Sequence, residues 1–227
     1  MSFVTTILIG LAIVGTLGYL AQRDHRRAFR GRVSLLNKCK SVLHDARLTH
    51  GGDGFPRLAG RYRGLEVDVQ LICDTMTMRR LPQLWLQVTV MERRPDIAGF
   101  AALVRPSGYE FYSLTADFDH VIDPPSLFPQ EIIVRGESPR AARTFDQVTA
   151  PMAAILADPC VKEVAVTRDG LRIIRQDAEG RRGEHLLLRQ AVFDDAEVPA
   201  ELLENTLAEI EALRAVLGPP KRLVLVA

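Results

Sequence analysis

The densest polar cluster in the chain is Asp117-Phe118-Asp119-His120-Val121-Ile122-Asp123. Alternation along it puts Asp117, Asp119, Val121 and Asp123 on one side, with Phe118, His120 and Ile122 on the other. A histidine beside a carboxylate has the makings of a general base, and Ser113 or Ser126 would be the hydroxyl it activates. This arrangement describes a hydrolase that uses His120 with Asp119 or Asp123. The alternative is a solvated loop ahead of the Asp123-Pro124-Pro125 turn. The chain favours the loop, because neither GxSxG nor SxxK occurs anywhere in it. Cys73 followed by Asp74 offers a thiol nucleophile. At the inward end of an alternating strand, however, a cysteine reads better as a small core residue.

Metal chemistry has less support. His25, His44, His50, His120 and His185 are scattered, and Cys39, Cys73 and Cys160 lie more than thirty residues apart. With no CxxC, HxxxH or HExxH spacing, the expectation is no metal and no cofactor. Phosphate cradles are missing too: there is no Walker A sequence, and no GxGxxG follows a strand. Arg57, Arg61, Arg63, Arg79 and Arg80, interleaved with Tyr62 and Trp85, form the best basic and aromatic set for stacking bases. Yet residues 51–227 carry a net −5, which repels phosphate at long range, so no nucleic-acid partner is expected.

That −5 is hidden in a chain of 227 residues whose total charge is only +1. Residues 23–50 hold eight Lys or Arg against two Asp, and nothing before Arg23 is charged. Residues 3–22 are apolar apart from Thr5, Thr6, Thr16 and Gln22, and twenty helical residues reach about 30 Å, a bilayer's hydrocarbon thickness. The sequence therefore predicts a transmembrane anchor over 1–22. A cleaved signal is the weaker reading, because no basic residue precedes the apolar stretch. The flank of Arg23, Arg26, Arg27, Arg30 and Arg32 would contact the membrane surface and hold the following residues in the cytoplasm. An Arg-biased composition points to a GC-rich, bacterial genome, hence an inner membrane. Gly10, Gly15 and Gly18 leave a homodimer through the span open.

Periodicity then divides the rest. Val33, Leu36, Cys39, Leu43 and Ala46 recur at helical spacing, which extends a basic juxtamembrane helix over 23–50. Residues 50–54, His-Gly-Gly-Asp-Gly, read as a linker into a domain over 51–227. Period-two alternation predicts strands at 65–73 and 84–90, and less regular runs at 57–62, 97–104, 109–114 and 131–135. A helix at 144–156 precedes a hairpin turning at Arg168-Asp169-Gly170 and a third strand at 185–193. A helix over 200–217 ends at Gly218-Pro219-Pro220, and 222–226 could add an edge strand.

The fold expected is α+β: an N-terminal transmembrane helix, then antiparallel strands with packed helices. Two helix-plus-three-strand halves, with a sub-boundary near 136–143, are one form it could take. In function, the chain reads as a non-enzymatic scaffold or partner-binding module at the cytoplasmic face of a bacterial inner membrane, its protein partner unspecified. The membrane-anchored hydrolase and a lipid or small-ligand carrier are the other two classes.

Overall fold

The computed structural model describes residues 3–75, 81–182, 191, 193 and 197–220. Nine strands form one antiparallel sheet: β1 (His44–His50), β2 (Pro56–Tyr62), β3 (Leu65–Asp74), β4 (Gln83–Met91), β5 (Phe100–Val104), β6 (His120–Val121), β7 (Ile132–Gly136), β8 (Val161–Val166) and β9 (Gly170–Glu179). Their order across the sheet is β1-β2-β3-β4-β9-β8-β5-β7-β6. The described helices are α1 (Phe3–Val33), α2 (Ala141–Leu156) and α3 (Ala200–Leu217), with short 3-10 turns at Lys38–Val42 and Leu114–Ala116.

Alternation sorts the two faces. Val67, Val69 and Leu71 of β3 stand opposite Val90, Val88 and Leu86 of β4, and all six are buried. The intervening residues, Glu66, Asp68, Gln70 and Ile72, stand opposite Met91, Thr89, Gln87 and Trp85 on the outer face. The inner face is covered by α3 over β4 and β9, and by α2 over β5 and β8. From α2, Phe145, Val148, Met152, Ile155 and Leu156 enter this core; from α3, Leu203, Leu207, Ile210 and Leu213 do so. Every residue of β5 and β8 is buried, because segment 105–119 covers the outer face there.

Two glycines show different reasons for one residue type. At the β2–β3 hairpin, Arg63 and Gly64 both have positive φ, 49° and 83°, the pattern of a two-residue type I′ turn. Gly170 opens β9 beside β4, where a Cβ would lie 2.2 Å from the Val90 carbonyl oxygen. Close backbone approach, rather than turn geometry, requires glycine there.

Several expectations need correction. The transmembrane anchor over 1–22 does not stand: among the described residues no helix is long and apolar enough to cross a membrane. Helix α1 continues without a break through Arg23 to Val33. The descriptions that rest on a span, integral membrane protein, single-pass and signal anchor, fall with the anchor.

The two-halves version of the fold is also replaced. β4 pairs with β9 along its whole length, from Gln83 opposite Glu179 to Met91 opposite Gly170, so the two meanders merge into one sheet. The helix expected over 23–50 breaks after Val33. Leu35, Leu36, Cys39 and Leu43 are indeed buried, but they reach the core from a 3-10 turn and its flanks, and the chain then enters β1. Gly60 permits this turn into β1, since a Cβ on it would sit 2.9 Å from both His44 O and Leu43 Cβ. Residues 51–54 turn the β1–β2 hairpin and are no interdomain linker. Residues 109–114 form no strand. Most of the strand expected at 185–193, and all of the edge strand at 222–226, lie outside the described residues.

Candidate functional site

The outer face of β8 and β9 carries an unusual pair of charges. A bulge between Val161 and Glu163 opposite β9 brings Lys162 and Glu163 to the same side of the sheet. Each fastens part of segment 105–119. The Lys162 ammonium donates to Arg105 O at 2.7 Å and lies 2.8 Å from Glu110 Oε1. Glu163 is fully buried; it pairs with Arg172 and accepts from the Ser113 hydroxyl and, at 3.0 Å, from Leu114 N. Arg172 also donates to Tyr112 O at 3.1 Å. Buried charges of this kind persist only when paired and hydrogen-bonded.

Beneath this strap lies a cavity of about 340 Å³, within the usual size range of small-molecule sites. Trp85 of β4 and Tyr112 of the strap form its aromatic side, their rings 6.0 Å apart and tilted by 45°. Only 8% of each residue is exposed. The indole N–H of Trp85 lies near enough to the phenol oxygen to favour the phenolate slightly, yet it misses hydrogen-bond geometry. Both Trp85 Nε1 and Tyr112 Oη are buried without a hydrogen-bond partner among the described residues. Burial, reinforced by the Asp74, Glu110 and Glu163 carboxylates, pushes the Tyr112 pKa well up, so its hydroxyl keeps its proton.

The charged groups of the wall are already engaged. Burial opposes the charge on Glu110, but Lys162 and the Ser107 hydroxyl and N–H outweigh it and hold the carboxyl at about 2. Gly108 N adds a 3.0 Å bond to its second oxygen. Arg105 donates to Pro159 O at 2.7 Å and to Val161 O. Gln83 donates to Glu179 at 3.1 Å and accepts from Gln176.

The residues singled out by sequence are placed elsewhere. His120 is half-buried in the two-residue β6 at the sheet edge, between exposed Asp119 and Val121, and Asp123 is exposed too. The alternation expected over 117–123 is present, with Phe118 and Ile122 buried. No hydrogen bond joins His120 to either carboxylate among the described residues. Ser113 is committed to Glu163 and Thr115, and Ser126 is exposed. Burial raises the Cys73 thiol to about 11, which disarms it as a nucleophile.

The basic and aromatic set is dispersed. Arg57 pairs with Asp68 at 2.6 Å and Arg61 with Asp45, beside an open hollow of about 780 Å³ on the outer face of β1–β3. Arg63 lies over the Tyr62 ring and 3.4 Å from Glu211. Arg79 and Arg80 are outside the described residues. Among the proposed membrane contacts, Arg32 turns toward the sheet: its guanidinium lies 4.7 Å from the Phe55 ring centre and donates to Asp53 O and Ala191 O, both at 3.1 Å. Arg23 is exposed, and the side chains of Arg26, Arg27 and Arg30 are not among those described. Among the described residues no cluster of three or more His, Cys, Asp or Glu is placed to hold a metal ion.

Sequence reasoning missed the pocket. Its clearest local trace was Lys162-Glu163, two consecutive charges inside the apolar run Val161 to Val166, which mark a bulge within an otherwise buried strand.

No protein-family model matches the chain, and no curated protein matches its sequence. Among solved structures, the chain is similar to the crystal structure of the mycobacterial trehalose monomycolate transport factor A, TtfA. Identity is 11%, the alignment covers 84% of this chain and 99% of that one, and the TM-score is 0.47. A likeness of that size transfers neither fold nor function.

Proposed function

We propose that the chain is a non-enzymatic binding module whose pocket, between the sheet and segment 105–112, holds a small polar ligand. The observation that carries this reading is the pair of buried polar atoms without a partner among the described residues, Trp85 Nε1 and Tyr112 Oη, at a cavity of ligand size. Each orphaned group costs about 1–3 kcal/mol, a cost that a bound acceptor recovers. Support for binding over catalysis comes from the candidate nucleophiles: Ser113 is tied to a buried glutamate and Cys73 is held as a thiol. A melting-temperature screen of the full chain against small polar molecules of every charge tests the reading. Stabilising compounds should lose their effect in Gln176→Phe, which fills the cavity. The absence of any stabilising compound overturns it, as does an esterase or phosphoesterase activity abolished by His120→Ala.

A second reading concerns α1. Ile7, Leu11, Ile13, Val14 and Tyr19 are exposed large apolar side chains, and the helix ends in a strongly basic stretch. We propose that α1 rests on an anionic membrane surface, the cytoplasmic face of a bacterial inner membrane, as a peripheral helix drawn there by the net positive charge of residues 23–32. Flotation of the full chain with phosphatidylglycerol vesicles, but not with phosphatidylcholine vesicles, is the expected result. Equal flotation with both, or with neither, overturns it.

A further inference from the structure

We infer that the ligand of the pocket is a small uncharged molecule presenting oxygen acceptors, hydroxyl or carbonyl, to Trp85 and Tyr112. This rests on the binding-module reading and adds the chemistry of the ligand.

Among the described residues, the unmet hydrogen-bonding capacity of the cavity includes two donors. An indole N–H can only donate, and a protonated phenol donates its one hydrogen. Both belong to residues more than nine-tenths buried, and neither has a partner among the described residues. A ligand that completes the site must therefore bring acceptors.

Its charge follows from what surrounds those donors. Three carboxylates, Asp74, Glu110 and Glu179, line the cavity against two cations, Arg105 and Lys162. Lys162 is taken up by Glu110 and Arg105 O, while Arg105 is taken up by the carbonyls of Pro159 and Val161. An anionic ligand would meet a wall on which three carboxylates outnumber two cations by one, with both cations already spent on other partners. A cationic ligand suits the carboxylates, but an ammonium has only donors and leaves the indole and phenol hydrogens unmet. An uncharged molecule with hydroxyl or carbonyl oxygens satisfies both groups and meets no opposing charge. The volume, near the lower end for small-molecule sites, fits such a compact ligand.

Trp85 is the only tryptophan in the chain, so a nitrogen-15 spectrum contains a single indole N–H signal that reports directly on the site. The full chain is titrated with myo-inositol and N-methylacetamide as neutral probes, acetate as the anion and tetramethylammonium as the cation. The expected result is a saturable displacement of the indole signal by a neutral probe, with slower exchange of its hydrogen, and no saturable response to either ion. Tyr112→Phe should weaken that response about three- to tenfold, the loss of one hydrogen bond. The exchange measurement on the native chain decides the question if that variant does not fold. Stronger saturation by acetate or tetramethylammonium overturns the ligand class but leaves a binding pocket in place. Silence toward all four probes, together with a screen that finds no stabilising compound, overturns the ligand class and the binding-module reading together.

Discussion

Lys162 and Glu163 are consecutive in the chain, yet both side chains stand on the outer face of the sheet and hold opposite ends of the same strap. Lys162 takes Arg105 and Glu110, and Glu163 takes Ser113 and Leu114. A regular strand would have sent one of them into the apolar core beneath α2. The bulge opposite β9 spares that cost and fixes the segment that roofs the pocket.

Glu163→Ala should be the more damaging substitution at this pair of positions, because it strands Arg172 and the Ser113 hydroxyl in a dry site. A loss of about 3–5 kcal/mol is expected from equilibrium denaturation. Glu163→Gln keeps an acceptor for Leu114 N and should lose less. Equal losses for both would mean that the charge contributes nothing.

Stability should respond to pH through two carboxylates of opposite sign. Glu110 is held at about 2, below its ordinary 4.5. Its contribution is therefore complete above pH 4.5 and disappears as pH falls toward 2. Asp177, in the bulge of β9, is raised by burial to about 6 from 3.8. Its contribution is complete below 3.8 and is lost as pH rises through 6. Asp177→Asn should accordingly stabilise the fold at pH 7.5 by about 1–2 kcal/mol and change little at pH 4. Denaturation curves at the two pH values check the sign.

Gly170→Ala places a methyl group 2.2 Å from the Val90 carbonyl oxygen, so β9 must shift away from β4. At Gly64 there is open space, and only the positive φ resists a side chain. Gly64→Ala should cost about 1 kcal/mol and Gly170→Ala distinctly more. Similar melting temperatures for the two variants would contradict the close approach of the strands.

His120→Ala should alter stability by less than about 1 kcal/mol, since the side chain is half-buried at an edge and makes no described hydrogen bond. Response to the neutral probes should be unchanged. A larger loss would place His120 in the strap's support.

A chain beginning at Arg32 keeps the Phe55 stack and the buried Leu35, Leu36, Cys39 and Leu43. It should unfold cooperatively on heating and lose its attachment to vesicles. Beginning at Gly51 removes β1 and those side chains, whose burial contributes roughly 1.5–3 kcal/mol for each large one against a total of about 5–15. That shorter chain should not hold a native fold by circular dichroism. Equal stability of the two would show that residues 32–50 contribute nothing to the core.

Local periodicity was enough to locate β3, β4, α2 and α3, because burying one side of an element against a core writes a period of two or 3.6 directly into the sequence. It also identified Leu36, Cys39 and Leu43 as inward-facing residues. It could not reveal that they arrive from a 3-10 turn, since that path depends on Gly60 of β2 admitting the chain at 2.9 Å. Nor could it join β4 to β9, strands some eighty residues apart whose pairing is chosen by the whole set of available edges. The pocket lay furthest from view. Trp85, Tyr112 and Lys162 come from three separate segments, and each alone reads as an ordinary core or surface residue. Only the assembled sheet, with two charges turned outward by a bulge and a strap drawn across them, leaves two hydrogen-bond donors buried without partners among the described residues.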